Sequence, residues 1–169
     1  MGQKIEIKLN DGRVMRAELY EDVAPITVKN FLELVDKGFY TGLIFHRVIP
    51  GFMIQGGGMY QTLEEKGGLK PIKGEFKQNG VKNDLKHELG VLSMARTMDP
   101  NSATSQFFIC VDDASYLDGS YAAFGKLIDA ESEKVAVDIS KVKTVNFRWY
   151  QDVPLTPIVI ESIKRIRED

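Results

Sequence analysis

Hydrophobic and polar residues alternate in two short segments near the start of the chain. Residues 5–9 alternate apolar and charged side chains, residues 13–20 alternate again, and Asp11-Gly12 lies between them. Alternation with a period of two is typical of a half-buried strand, and Asp-Gly is a common hairpin turn. The pattern therefore predicts an antiparallel hairpin.

Two other segments have the spacing of amphipathic helices. Pro25 suits the first turn of a helix that runs to about Lys37, because its fixed backbone angle fits there, and Gly38 is a typical stop. A second helix is predicted over about 131–143, where apolar residues recur at helical spacing.

The remaining pattern favours an antiparallel sheet. Residues 59–82 are rich in glycine, lysine and glutamate and are interpreted mostly as a surface loop. Residues 158–160 follow two prolines and are predicted to form the last strand, whose neighbour is expected to be the first. Several strands with two helices favour a mainly β fold, in which a closed antiparallel barrel is capped at its ends.

Composition and charge indicate one domain over residues 1–169, since 43% hydrophobic and 27% charged residues show no second compositional regime. The net charge is -2 with both signs interspersed, so no nucleic acid partner is expected. No segment approaches membrane-spanning length and the first residues contain no apolar signal core. A cytoplasmic protein without a membrane partner is therefore expected.

The cysteine and the histidines do not suggest a metal site. Cys110 lies in an apolar run and is interpreted as a small buried hydrophobic residue. His46 and His87 lack metal-ligand spacing, so a structural or surface role is favoured for both. The sequence predicts no metal and no cofactor.

The stretch most informative about chemistry is residues 45–58. Arg47 is a permanent cation with five donors, and placing it among apolar neighbours is costly unless it faces water or a partner. If the segment is extended, Phe45, Arg47 and Ile49 share one face. The glycines at 56–58 are interpreted as a tight turn under a groove, because no Gly-Lys-Ser/Thr of a phosphate loop follows them.

Two later segments also combine polar and aromatic residues. Residues 93–97 lead into a polar loop at 98–104, and residues 105–111 form an apolar run that is predicted to be a buried strand. Residues 115–125 place a tyrosine on either side of an Asp-Gly turn. Together with residues 45–58, these segments could line one groove.

Taken in order, these segments resemble the cyclophilin family of peptidyl-prolyl isomerases. The family signature combines an FHR.IPGFM.QGG run, an SMA strand, an SQFFI strand and an LDG turn before an FG pair, and all are present between Phe45 and Lys126. The resemblance implies a mainly β fold, a closed eight-stranded antiparallel β-barrel capped by two α-helices. It also implies cis-trans isomerisation of X-Pro bonds in protein substrates, which assists protein folding.

The resemblance implies roles for particular residues. Arg47 matches the catalytic arginine, Phe52 matches a wall of the proline pocket, and Gln55 matches a glutamine that orients arginine and substrate. These three are expected to form the catalytic group. The residues expected to bind substrate are Met53, Ala95, Arg96, Thr97, Gln106, Phe108, Tyr116, Leu117 and Tyr121.

Three positions depart from the commonest form of the family. Tyr116 replaces a tryptophan of well-studied eukaryotic members, Tyr121 replaces a histidine, and Arg96 replaces an asparagine. Because that tryptophan helps such proteins hold the cyclic peptide cyclosporin, and tyrosine is smaller, weakened cyclosporin binding is expected. The charge of Arg96 could favour acidic substrates.

Two other functions use the same observations. A proline-peptide binding module would occupy the groove without turnover, although a pure binder gains little from the cation of Arg47. A barrel that stores an apolar ligand would need an interior of small residues, whereas Phe107, Ile109 and Phe124 suggest a filled core. The expected partners are proline-containing peptides and unfolded or folding proteins, and a monomer is expected because no heptad or apolar excess remains.

Overall fold

The computed structural model describes residues 2–167, which form strands arranged around one filled core. Two α-helices pack against the sheet, and short 3-10 turns lie at Lys77–Asn79 and Ser115–Leu117. In chain order the elements are β1 (Gln3–Leu9), β2 (Val14–Leu19), α1 (Pro25–Asp36), β3 (Ile44–Ile49), β4 (Met53–Met59), β5 (Val91–Met94), β6 (Phe107–Cys110), β7 (Ala123–Leu127), α2 (Ala130–Ser140), β8 (Thr144–Phe147), β9 (Tyr150–Pro154) and β10 (Ile160–Ile166).

Eight of these strands form one antiparallel sheet in the order β10-β1-β2-β7-β5-β6-β4-β3. The predicted hairpin is confirmed, since β1 pairs with β2 and places Ile5 opposite Ala17. The first and last strands are neighbours, as predicted, with Ile7 opposite Ile163. The sheet therefore has the eight antiparallel strands that the family resemblance implied.

The barrel is open rather than closed, because the ladder ends at β3 and β10. Isolated backbone bonds bridge this seam: the Phe45 N–H donates to the Ile158 carbonyl (3.0 Å), and the Ile160 N–H donates to the Leu43 carbonyl (2.8 Å). The prediction of the last strand at residues 158–160 is wrong by two residues, since β10 begins at Ile160. Residues 158 and 159 bridge the seam instead.

The two predicted helices cap the sheet. No helix among residues 2–167 is long and apolar enough to cross a membrane. Helix α1 buries Phe31, whose ring lies 5.4 Å from Phe107 and 5.2 Å from Phe124. Phe107, Ile109 and Phe124 are each 0% exposed. The interior is therefore filled by large side chains, as predicted, which argues against storage of a ligand there.

Helix α2 is shorter than predicted. Its start is capped by the Asp129 carboxylate, which accepts a hydrogen bond from the Ser132 amide at 2.7 Å, and it ends at Ser140 rather than at Lys143. Beyond it the Lys143 carbonyl already accepts a hydrogen bond from the Leu155 amide, at the base of a separate two-stranded sheet of β8 and β9. The sequence analysis did not predict this second hairpin.

The glycines at 56–58 belong to β4, so the predicted tight turn is wrong. A Cβ atom at Gly56 would lie 2.7 Å from the Ile44 carbonyl oxygen, on the neighbouring strand. Gly57 has φ +86°, which favours glycine, and a Cβ at Gly58 would overlap the side chain of Gln106. These glycines let neighbouring groups approach β4 more closely than any side chain would allow.

We predict that Gly56→Ala destabilises the fold by about 1 to 3 kcal/mol, because the added methyl group forces β3 and β4 apart. Thermal unfolding measures the loss. Gly67→Ala is the matched control, since nothing lies within 4 Å of a Cβ there, and its effect should stay within about 0.5 kcal/mol. Equal melting temperatures for the two variants would contradict the close approach at β4.

Candidate active site

A break in the pairing of β3 directs Arg47 outward. The register between β3 and β4 shifts around His46, so Phe45 is opposite Gly56 while Arg47 is opposite Gln55. Phe45 is 0% exposed in the barrel core, whereas Arg47 is exposed. The prediction that Phe45 and Arg47 share a face is therefore wrong, because the bulge reverses the alternation between them.

A groove of about 190 Å³ lies beside Arg47 on the outer face of the sheet. The groove is formed by β3 and β4, the end of β5, β6 and the turn after β6. The sequence analysis singled out these same segments. The lining residues of the groove are Arg47, Phe52, Met53, Gln55, Ala95, Arg96, Phe108, Leu117 and Tyr121.

The floor of this groove is a small apolar cluster that is separate from the barrel core. Strand pairing places Met53 opposite Cys110 and Gln55 opposite Phe108. Met53 and Phe108 are only 2% and 5% exposed, and half-buried Phe52 packs against their cluster. The groove therefore presents an apolar base to a ligand while Arg47 lies on its polar side.

Gln55 forms the polar wall of the groove next to Arg47, and Gln106 holds it by a hydrogen bond. The Gln55 Nε2 group donates to Gln106 Oε1 at 2.9 Å, and Gln106 lies against Gly58, where a side chain would overlap it. This hydrogen bond fixes Gln55 directly across the strand pair from Arg47. The glycine in β4 thus helps to position the amide that faces the groove.

Gln106 and Thr97 line an adjoining pocket of about 280 Å³ rather than the groove itself. Gln55, Ala95 and Arg96 border both cavities. The sequence analysis missed three residues of the adjoining pocket, although two of them lie in or beside the polar loop that it noted. The missed residues are Glu65, Ser102 and Thr104.

Arg96 is held in place by its own chain. Its Nε and Nη2 groups donate to the Ser120 carbonyl at 3.1 and 2.6 Å, and Nη1 donates to the Thr97 carbonyl at 2.9 Å. Its guanidinium lies 4.9 Å from the ring of Phe76 and 4.7 Å from the ring of Tyr121. Arg96 therefore fixes the turn that carries Tyr121, and Phe76 supports it from a loop that sequence reasoning did not connect to the site.

The two tyrosines that depart from the family pattern occupy different places. Tyr121 lines the groove and packs edge-on against Phe108, with ring centroids 5.8 Å apart. Tyr116 is exposed on the rim, where its ring centroid lies 5.8 Å from that of Phe52. Substitution at Tyr116 therefore changes the rim, whereas substitution at Tyr121 changes the groove wall.

A buried hydrogen-bond chain lies behind Phe108. His87 Nδ1 is 2.9 Å from an Asp118 carboxylate oxygen, and His87 Nε2 is 2.8 Å from Ser93 Oγ. His87 and Ser93 are 1% and 0% exposed, so no substrate reaches the serine and the chain cannot act as a nucleophilic triad. The His87 ring stacks on Phe108 at 6.0 Å, which supports the groove floor.

Burial keeps both histidines and the cysteine neutral at neutral pH. Burial, assisted by the charge of Arg47, lowers the pKa of His46 to about 4, and its Nδ1 has no hydrogen-bond partner among the described residues. Burial also lowers the pKa of His87, although Asp118 acts in the opposite direction. Burial raises the pKa of Cys110 to about 12, so its thiol is not a nucleophile.

Residues 4–165 match the family described as "Cyclophilin type peptidyl-prolyl cis-trans isomerase/CLD". The chain is 47% identical over 155 residues to "Peptidyl-prolyl cis-trans isomerase A" of Dickeya dadantii, covering 89% of this chain and 78% of that protein. It is 43% identical over 152 residues to "Peptidyl-prolyl cis-trans isomerase B" of Escherichia coli, covering 85% of this chain and 88% of that protein.

Solved structures show the same similarity. A cyclophilin type peptidyl-prolyl cis-trans isomerase of Cryptosporidium parvum aligns over 100% of both chains, with a TM-score of 0.80 and 29% sequence identity. A structure of that protein in the presence of the dipeptide Ala-Pro aligns over 98% of this chain and 100% of the other, with a TM-score of 0.79 and 30% identity.

We predict that the free energy of unfolding falls as the pH drops below about 6.5, because the two histidines bind protons more readily in the unfolded chain. The stabilisation is present above the unfolded pKa and is lost as the pH falls through the lowered folded pKa, about 4 for His46. That contribution of His46 is roughly 3 kcal/mol. Denaturant unfolding between about pH 7 and pH 4 measures it.

His46→Gln and His87→Gln should each flatten this pH dependence, because glutamine does not titrate. The carboxylates are common to the parent and both variants, so the difference from the parent protein isolates the histidine. Parallel curves for the parent and both variants would contradict the assigned pKa directions.

Proposed function

The chain belongs to the cyclophilin family of peptidyl-prolyl cis-trans isomerases, and we propose that the groove beside Arg47 is its active site. The main support for this proposal is that a permanent cation, Arg47, and an apolar floor line the same groove of about 190 Å³. The family acts on proline-containing peptides, so the apolar floor is proposed to receive the proline ring and Arg47 to face the reacting amide.

The reaction is rotation about a conjugated C–N bond, for which the barrier is roughly 18 to 20 kcal/mol. No covalent bond breaks. As the amide twists, the proline nitrogen loses conjugation and regains a lone pair, which accepts a hydrogen bond that the planar amide accepts poorly. A donor fixed at Arg47 therefore binds the transition state more strongly than the ground state, which is the requirement for catalysis.

One hydrogen bond from Arg47 does not account for the whole rate acceleration. A charge-assisted bond contributes about 1.5 to 3 kcal/mol, whereas a millionfold acceleration requires roughly 8 kcal/mol. The twisted amide is less dipolar than the planar one, so the apolar surface of Phe52, Met53 and Phe108 favours it by withholding water. The groove supplies a further contribution by holding the flanking residues of the substrate still.

The backbone between β5 and the polar loop is proposed to bind the substrate backbone. The Ala95 N–H donates to the Gln106 carbonyl at 3.0 Å, and the Thr97 N–H donates to Ser102 Oγ at 2.9 Å, so these two amides are already engaged. No hydrogen bond joins the Arg96 amide to another of residues 2–167. We therefore assign the Arg96 backbone, rather than its tethered guanidinium, to contact the substrate chain.

The position and charge of the groove support a proposal for the kind of substrate that it binds. It is open to solvent and lies on the outer face of the sheet, which suits an extended segment of an unfolded or folding protein. The Arg96 guanidinium keeps its positive charge on the groove wall, so acidic residues next to the proline are proposed to be favoured. The monomeric state and the cytoplasmic location remain predictions from the sequence.

Replacing Arg47 tests the catalytic assignment. Arg47→Ala should reduce kcat/KM for a short X-Pro peptide by about ten- to a hundredfold or more, because one charge-assisted bond to the transition state is lost. Protease-free measurement of cis-to-trans exchange at low temperature gives the rate, and calorimetry gives the affinity. Arg13→Ala, on the exposed first hairpin, is the control and should leave both values unchanged.

The same pair of measurements tests the rival binding function. If Arg47→Ala loses affinity for the peptide in step with turnover, Arg47 binds the planar ground state and the groove resembles a binding module. If affinity is largely kept while turnover is lost, the differential binding described above holds.

Tyr116→Trp should tighten cyclosporin binding, because the larger ring extends the apolar rim next to Phe52 and restores the indole donor. Isothermal calorimetry on the parent and variant measures the change, and the parent is expected to bind more weakly than the variant. Tyr60→Trp is a control, because Tyr60 is 41% exposed and does not line the groove. Nanomolar binding by the parent would contradict the expected weakness.

A further inference from the structure

The second hairpin, β8 and β9, has more exposed apolar surface than its size requires. Trp149, the only tryptophan in the chain, is 75% exposed, and Phe147 is 46% exposed. Val145 and Leu155 are 37% and 53% exposed on the same hairpin and the residue that follows it. None of the four lines the catalytic groove. A soluble domain rarely groups apolar residues in this way without a binding role.

A cavity of about 330 Å³ lies between this hairpin and the barrel. Val145, Phe147 and Leu155 form its hairpin side, and Ile44 and Leu63 lie on its opposite side. It shares no residue with the catalytic groove. Its exposed apolar lining is surface that an inserted aliphatic or aromatic side chain would remove from water.

Positively charged residues of the hairpin segment lie next to this apolar surface. Lys143 and Arg148 are exposed and have no ion pair within residues 2–167, whereas Lys141, also exposed, interacts with the Asp138 carboxylate of α2. The Arg148 guanidinium lies 5.2 Å from the Phe147 ring centroid, directly beside the cavity. Asp152 is the acidic residue within the hairpin, and Glu64 adjoins Leu63 across the cavity. Residues 141–155 therefore contain three cations and one acidic residue, although the whole chain has a net charge of -2.

We propose that this surface binds an acidic, amphipathic segment of a partner polypeptide. We call it the hairpin face and define it by Lys143, Val145, Phe147, Arg148, Trp149 and Leu155. An apolar side chain of the partner would enter the cavity, and its carboxylates would lie against the cations. Aromatic residues and arginine with a charged rim are the composition of energetically important protein interfaces.

Charge also decides against a second copy of the chain as the occupant. A two-fold contact brings each residue near its own equivalent or near the same patch of the partner. Two hairpin faces would therefore bring Lys143 and Arg148 of both chains together, with a single acidic residue, Asp152, in each hairpin. An acidic partner removes this repulsion and gains attraction instead. The proposal does not depend on the assignment of the catalytic groove.

Trp149 provides the measurement, because its emission is the only tryptophan signal and arises within the hairpin face. The probe is a short synthetic peptide of alternating aspartate and leucine that contains neither proline nor tryptophan. A saturable blue shift of the emission is expected, with an affinity that weakens as salt is added. Peptides with lysine in place of aspartate, or serine in place of leucine, should not produce it.

The charge-reversal variant Lys143→Glu/Arg148→Glu should weaken binding of the acidic peptide on the order of tenfold, because attraction becomes repulsion. The variant Lys70→Glu/Lys73→Glu changes the same number of charges in the exposed loop after β4 and should bind as the parent does. Isomerase activity is the folding control and should be unchanged in both variants.

Three results would overturn the proposal. An equal emission shift with the lysine peptide and the acidic peptide would indicate apolar contact without charge selection. Self-association in sedimentation that the charge reversal alters would show that a second copy covers the face. An emission shift with anionic phospholipid vesicles but with neither peptide would assign the face to a membrane surface.

Discussion

The close pairing of β3 with β4 is the constraint on which the groove beside Arg47 depends. At Gly56 the Ile44 carbonyl oxygen lies only 2.7 Å from the position that a Cβ atom would occupy, so only glycine fits there. The register shift at His46 lies in the same strand pair. The shift leaves Phe45 in the core and turns Arg47 to the outer face, opposite Gln55. A regular strand would have placed the aromatic and the cation on one side, where the core would have excluded the charge.

The barrel interior stabilises the fold, whereas the groove lies on the outer face of the sheet. The barrel interior is filled by aromatic and aliphatic side chains, so it holds the strands at fixed registers. The groove lies on the outside of the same strands and uses a second, smaller apolar cluster as its floor. Because β6 contributes Phe107 to the interior and Phe108 to the floor, the two clusters are positioned by one backbone. The His87 chain then fixes the floor from behind.

Much of this architecture follows from the sequence, because strand alternation and the motif segments identify the sheet and the residues that line the groove. The bulge at His46 does not follow, because a register shift arises in the pairing of two strands and leaves no mark in the alternation of one. The link between His87 and Asp118 joins residues 31 positions apart, which no local pattern reveals. The hairpin of β8 and β9 was missed although Thr144 to Phe147 alternate polar and apolar residues, because its two-residue turn contains no glycine or asparagine and Arg148 adopts φ +57° there.

The central claim is that Arg47 acts on the twisted amide and not on the planar one. Exchange spectroscopy on an X-Pro peptide bound to Arg47→Lys tests it most directly, because lysine keeps the charge and loses the guanidinium geometry. We predict that the bound cis and trans populations stay close to those of the parent while their interconversion on the protein slows. Unchanged interconversion with altered populations would contradict it.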